Sequence, residues 1–266
     1  MTMMLAPDLL DRRALALLEL VDPYGDALEG PVLIGSDDLR TVRKPGGRIA
    51  LLEAPGFKAY TAAFIDPPAV ASKTFGIDFN PAQAGVMPRR ITLKLPRKSD
   101  PAQAADAQSV FRAVVIGFSA SPRVALQPGA CVLRASVRRT SDGAMVEGAL
   151  VRARSSDGKH SSWGMTDPAG EAALVFASLP VSFAGAGGNP STTIACAVVV
   201  HADPASARFA TAATLGAARA AAAARRTGHI DPDALAAAQP ADFTAAATVS
   251  IAASSQPAVT LQWTAP

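Results

Sequence analysis

Apolar and polar side chains alternate along several short stretches of the chain. Ile91, Leu93 and Leu95 share one face, with Arg90, Thr92 and Lys94 on the other. Leu133, Ala135 and Val137 oppose Arg134, Ser136 and Arg138, and Val259, Leu261 and Trp263 oppose Thr260, Gln262 and Thr264. A period of two places successive side chains on opposite faces of an extended strand, so each stretch predicts a half-buried β-strand. Short strands separated by Gly- and Pro-marked turns predict a mainly β chain built from sandwiches.

Two sequence blocks recur in the same order. Gly25-Asp26-Ala27-Leu28-Glu29-Gly30-Pro31-Val32-Leu33 matches Gly143-Ala144-Met145-Val146-Glu147-Gly148-Ala149-Leu150-Val151. Pro45-Gly46-Gly47, followed by Arg48 to Leu52, matches Pro168-Ala169-Gly170, followed by Glu171 to Val175. The first block reads as a turn closed by a glycine, a short strand, and a Glu-Gly step that marks a bulge. The second is a turn that launches an apolar strand: Asp167-Pro168-Ala169-Gly170 suits a type I turn and Pro45-Gly46 a type II turn. The spacing between the copies grows between the blocks, which a hairpin extension around Ser155 to Gly158 explains.

The run Gly143, Val146, Gly148-Ala149, Val151, then Thr166-Asp167 and Gly170, resembles the carboxypeptidase regulatory-like, or transthyretin-like, β-sandwich family. The first copy departs from it: Pro31 replaces the alanine, and Lys44-Pro45 stands where Thr-Asp is expected. The resemblance implies two tandem Ig-like sandwiches. It is nearly silent on function, because such modules are accessory domains in many settings.

This places a first sandwich at 10–96, a linker at 97–108 and a second sandwich at 109–266. In the first, Tyr60, Ala62 and Phe64 are expected in a strand, Asp66 to Pro88 in a long loop, and Ile91 to Leu95 in the last strand. Val110 to Phe118 is expected to open the second. A helical insertion is expected at about 204–239: Asp203-Pro204 starts a helix through the helix formers up to Arg226, and Asp231-Pro232-Asp233 starts a shorter one. Such an insertion covers a sheet edge or reaches a neighbouring subunit. Gly185 to Gly188 reads as a loop.

Composition narrows the function classes. The chain has 266 residues, 49% of them hydrophobic but many of these alanine, so its core is thinner than the fraction implies. A formal net charge of +3 is too mild for a dedicated nucleic-acid binder. Met1 to Asp8 lacks a basic signal-peptide start, and no apolar run is long enough for a membrane span, so synthesis in the cytoplasm is expected. His160, His201 and His229 lack metal-site spacing, and Cys131 and Cys196 lie in unrelated strands, as buried thiols or as one disulfide. Gly117 to Ser121 lacks the closing glycine of a nucleophile elbow. Asp37, Asp38 and Glu53 read as surface turns rather than a glycosidase pair. No catalytic residue, metal ligand or cofactor site is expected.

Arg134 and Arg138 share one strand face, and Arg152 and Arg154 share a face of a later strand. Paired as a hairpin, these strands would join four guanidiniums, with Arg139 nearby, into a patch for an acidic protein partner. The expected function is that of a non-enzymatic structural or adaptor protein in a larger assembly; a contractile injection or phage-tail-like machine is one such setting. The competing class is a carbohydrate- or peptide-binding module with Phe57, Tyr60, Phe75 and Phe79 as its platform.

Overall fold

A computed structural model of the chain describes residues 14–36, 38–63, 72–83, 85–180, 193–238 and 246–265. The fold is mainly β. In chain order its elements are β1 (Ala16–Val21), β2 (Val32–Gly35), β3 (Arg40–Lys44), β4 (Arg48–Glu53), α1 (Lys58–Ala63), β5 (Lys73–Pro81), β6 (Arg89–Leu95) and β7 (Val114–Gly117). There follow β8 (Cys131–Arg139), β9 (Met145–Glu147), β10 (Leu150–Ser155), β11 (Ser161–Met165), β12 (Glu171–Phe176), β13 (Ile194–His201), β14 (Arg208–Ala210), α2 (Leu215–Ala224), α3 (Pro232–Ala237), β15 (Ala247–Ile251) and β16 (Ala258–Trp263).

The sequence repeat is a repeat of backbone path. Leu20 N–H donates to Gly47 O at 2.9 Å, and Val137 N–H donates to Gly170 O at 2.7 Å. Val21 bridges Ala27 just as Arg138 pairs with Met145. Three matched glycine pairs all have left-handed φ: Gly25 and Gly143 at 95° and 71°, Gly30 and Gly148 at 94° and 85°, Gly47 and Gly170 at 67° and 72°. Side chains with a Cβ resist that region, which accounts for glycine at each of these positions. Sheet connectivity repeats as well. The order β4-β1-β7 corresponds to β12-β8-β16, and β2-β5-β6 to β10-β13-β15. The correspondence breaks at β3, which pairs with β4 whereas β11 pairs with β10, and at β14, which pairs with β9 and has no counterpart among the described strands of the first copy.

The chain divides into two compact units assembled from interleaved stretches, the first from 1–20, 36–75 and 93–116 and the second from the rest. In the first, β1 runs antiparallel to β4 from Ala16↔Leu51 to Glu19↔Arg48, and β7 is hydrogen-bonded on the other side of β1. Val110 to Phe118, expected to open the second sandwich, therefore contributes a shorter strand that joins β1. The expected strand at Tyr60 is the helix α1, begun by the bond from Thr61 N–H to Phe57 O at 2.9 Å; alternation over three residues cannot distinguish one helical turn from a strand. Phe64 lies outside the described residues. Part of the expected Asp66–Pro88 loop is strand, since β5 occupies nine of its residues. In 97–108, Asp100 caps a 3-10 turn by accepting from Ala102 N–H at 2.9 Å, and the buried Arg97 donates to Ala107 O at 2.6 Å and Ser109 O at 3.1 Å.

Within the second unit, sheets β11-β10-β13-β15 and β12-β8-β9-β14, the latter with β16 parallel to β8, face each other across one core. Inward residues at alternate positions fill it: Leu133 and Val137 of β8, Val151 of β10, Leu174 of β12, Val198 of β13, Leu261 and Trp263 of β16. The Thr-Asp pair has a direct physical role here. Thr166 is buried, its hydroxyl donating to Val146 O at 2.6 Å and accepting from Ala149 N–H at 2.8 Å, so it satisfies the backbone on both sides of the Glu147-Gly148 bulge. Asp167 Oδ1 accepts from Ala169 N–H at 2.8 Å and Glu171 N–H at 3.1 Å, fixing the turn into β12.

The helical insertion falls between β14 and β15. Its start differs from expectation, because Arg208–Ala210 is a strand paired with β9 and α2 begins only at Leu215. The shorter helix begins where Asp231-Pro232 predicts: the Asp231 carboxylate accepts from Asp233 N–H at 3.0 Å and Ala234 N–H at 3.4 Å, with Pro232 in the first turn. The segment between the helices covers the β6 edge of sheet β2-β5-β6, with Arg90 N–H donating to Ile230 O at 3.1 Å. That is edge protection built from the chain itself. The expected loop at Gly185 to Gly188 lies outside the described residues.

Candidate partner-binding site

The four arginines of the expected patch do not form one surface. β8, with Arg134 and Arg138, pairs with β12, β9 and β16. β10, with Arg152 and Arg154, pairs with β11 and β13 in the opposing sheet. The expected hairpin between them is absent because the three-residue β9 and the Gly148 bulge carry the chain across the sandwich. Arg134 is spent on its own chain: it donates to Pro122 O, to Val124 O at 3.3 Å and to Gln256 Oε1 at 3.1 Å. Arg138 donates to Gly143 O at 3.4 Å, and Arg139 pairs with Asp142 while lying 4.1 Å over the Phe209 ring.

Arg152 and Arg154 instead line a groove on the outer face of β10 and β11. The register pairs Arg152 with Trp163 and Arg154 with Ser161, so these four side chains share one face. At one end that face is covered by α3, where Leu235 buries Leu150 and Met165. Beyond the helix the face is open, and a cavity of about 500 Å³ lies between the hairpin and the start of α3, lined also by Ser162 and Asp233. Arg152 Nη2 contacts His201 Nε2 at 3.2 Å. A guanidinium only donates, so Nε2 is the acceptor in this contact. Arg154 is exposed, and among the described residues no ion pair holds it.

The rim of the groove is fixed by buried charge. Arg89 is buried and lies 5.7 Å from the centre of the Trp163 ring; it donates to Gly117 O and to Asp233 Oδ2, the latter at 2.5 Å. Asp78, also buried, accepts from His229 N–H at 2.9 Å and from Arg90 Nη1 at 3.2 Å. Glu147 accepts from Arg225 at 2.5 Å at the end of α2. These bonds hold the segment from Arg225 to Asp233 on both sides. Gly148 permits that approach, because a Cβ there would sit 2.1 Å from Ile230 Cδ1.

The remaining candidates are committed to structure. The His229 ring lies 2.7 Å from Asn80 Oδ1, and burial pushes its pKa down. Cys131 and Cys196 are free thiols in the core, and burial raises Cys196 to about 11. Glu53 pairs with Arg40 at 2.7 Å; Asp37 is outside the described residues. Phe57, Tyr60 and Phe79 are buried, and Phe57 contacts Tyr60 and Phe75 at 6.3 and 6.2 Å between ring centres, so the expected ligand platform is core. Among the described residues no cluster of His, Cys, Asp or Glu has the form of a metal site, and no helix is long and apolar enough to cross a membrane. Sequence reasoning missed Trp163 and Asp233. Trp163 was findable, since it lies on the strand that the Ser155–Gly158 hairpin brings beside β10. Asp233 was not, because it arrives from 70 residues further along the chain.

No protein-family model and no curated protein matches the chain. Among solved structures, it is similar to the Bacillus anthracis TIE protein, with 9% identity and a TM-score of 0.23 over 95% of this chain and 34% of that one. It thus spans about a third of that protein's length. The shaft pilin SpaA from Lactobacillus rhamnosus GG matches with 10% identity and a TM-score of 0.23 over 93% and 96% of the two chains. A putative adhesin from Bacteroides ovatus gives 9% and 0.18 over 69% and 70%. At such TM-scores the overlap is too loose to equate residues. The fold itself is mainly β, built from several sheets.

Proposed function

We propose that this chain is a non-enzymatic structural or adaptor protein that works through protein–protein contacts in a larger assembly. The observation that carries this reading is the disposition of its buried polar groups. Arg89, Asp78, Glu147, Thr166 and His229 each stabilise a turn, a bulge or the docked insertion, which yields a rigid scaffold. A rigid frame with a preformed cationic groove suits docking, because little ordering entropy remains to be lost on association. A contractile injection or phage-tail-like particle, loaded with subunits made in the cytoplasm, is the setting we assign. The carboxypeptidase regulatory-like family is the ancestry we assign to both strand sets.

Affinity purification of the full chain from its source cells, followed by light scattering of the eluate, tests the reading. A stoichiometric complex is the expected result. A partnerless monomer, or turnover of a glycan or ester substrate by the purified chain, would overturn it.

A further inference from the structure

We infer that the groove beside α3 is a docking cleft for an extended acidic protein segment, with Arg152 and Arg154 receiving its carboxylates and Trp163 its apolar side chains. The inference rests on the protein-contact reading above and gives it a place and a chemistry.

Spacing is the first support. Arg152 and Arg154 are alternate residues of one strand face, separated by roughly 6.6–6.8 Å of rise. Alternate side chains of an extended peptide have the same repeat, so two carboxylates two residues apart in a partner meet two guanidiniums in register. Each such pair is a charge-assisted contact that a guanidinium makes in bidentate form. Net charge is the second support. Two guanidiniums, Arg152 and Arg154, face one carboxylate, Asp233, in the lining, and that carboxylate is directed to Arg89 at 2.5 Å. Preparation of the site is the third. His201 orients Arg152, Arg154 lies free of ion pairs among the described residues, and Trp163 is fixed against Arg89. A half-buried, immobilised tryptophan flanked by arginines has the composition of an interface hot spot. The volume, about 500 Å³, suits a few side chains. A single aromatic ring offers no run of stacking platforms for a nucleic acid.

The test uses the full chain and a dye-labelled peptide of alternating Glu and Ala, read by fluorescence anisotropy. The indole N–H signals of Trp163 and Trp263 are followed in parallel by NMR. Arg154→Glu is the decisive variant, because Arg154 is exposed and its side chain takes no part in the core. We expect saturable binding that weakens with added salt. Arg154→Glu should weaken it by at least about 10-fold, while Arg138→Glu on the opposite sheet leaves it unchanged. The Trp163 signal should shift and that of Trp263 should not. No binding up to ~1 mM peptide, where any contact would be worth less than about 4 kcal/mol, overturns the inference. So does equal loss in Arg138→Glu, or equal affinity for citrate or an oligothymidylate, which would mark a free-anion or nucleic-acid site. The assembly reading fails separately: it is judged by the complex in source cells, which can persist through other surfaces when the peptide does not bind.

Discussion

Arg89 and Asp231 approach to 3.8 Å with only 3% and 9% of their side chains exposed, whereas Asp233, the closer partner at 2.5 Å, is 77% exposed. The nearer contact is therefore the weaker contributor. An exposed carboxylate keeps most of its hydration, and its attraction is screened. Asp231 also caps α3 and accepts from the Thr92 hydroxyl at 2.8 Å. Asp231→Ala is expected to lower stability by about 2–4 kcal/mol, through loss of the cap and of the charge that balances a buried guanidinium. Asp233→Ala should cost under about 1 kcal/mol. Urea unfolding of both variants, with limited proteolysis of the insertion, checks the order; equal losses would show that distance rather than burial governs this pair.

Thr166 offers a sharper test of the bulge. Thr166→Val keeps shape and volume but removes the hydroxyl that serves Val146 O and Ala149 N–H. Two buried backbone groups then lose their partner, at about 1–3 kcal/mol each. A total loss near 2–4 kcal/mol in denaturant midpoints is expected, with an unchanged slope, since the surface exposed on unfolding is the same. Thr166→Ser should retain most of the stability, because it keeps both bonds.

The same residue shows how far the fold could be read in advance. The repeat and the alternation located β8, β10, β12 and β16, because burial on one face leaves a period-two record in sequence. The Thr-Asp pair and the left-handed glycines likewise record local backbone demands. What left no such record is partnering at a distance. The sequence around Arg134 and Arg152 reads as two strands with matching basic faces, and nothing local states that the chain crosses to the other sheet between them. That crossing depends on β9 being only three residues long and on Gly148 bending against Ile230, a residue 82 positions away. Phe57 and Tyr60 misled for a related reason: an aromatic cluster reads alike whether it faces solvent or core, and packing alone decides. The groove was half legible, its arginines and tryptophan on one hairpin, its α3 wall not.

Two glycines of the repeat separate backbone strain from steric fit. Gly143 has φ of 71° and open space where a Cβ would project; Gly170 has φ of 72°, but its Cβ would lie 2.5 Å from Val137 O. Gly143→Ala should cost about 1–2 kcal/mol, the penalty of the left-handed region alone. Gly170→Ala adds a collision with backbone that carries the β8–β12 pairing, and should cost well over ~2 kcal/mol or prevent folding. Thermal unfolding of the two variants decides it; similar melting temperatures would mean that the turn relaxes freely.

His229 makes the insertion sensitive to acid. Burial is the main cause of its lowered pKa; Asp78 and Glu147 partly oppose it, while Arg225 and Arg208 reinforce it. In the folded protein the ring is neutral, and since Asn80 Oδ1 can only accept, Nε2 carries the proton in that 2.7 Å bond. The unfolded chain takes up its proton near the ordinary value of 6.5, before the folded one does. Between those two values the unfolded state binds more protons, so stability rises with pH across that window and is lost as pH falls below 6.5. Below the folded value both states are protonated and the penalty levels off. His229→Gln keeps a donor toward Asn80 without titrating, and should flatten this part of the stability profile. Hydrogen exchange near Ile230 should accelerate on acidification in the native protein and not in the variant; identical acid responses in both would place the sensitive group elsewhere.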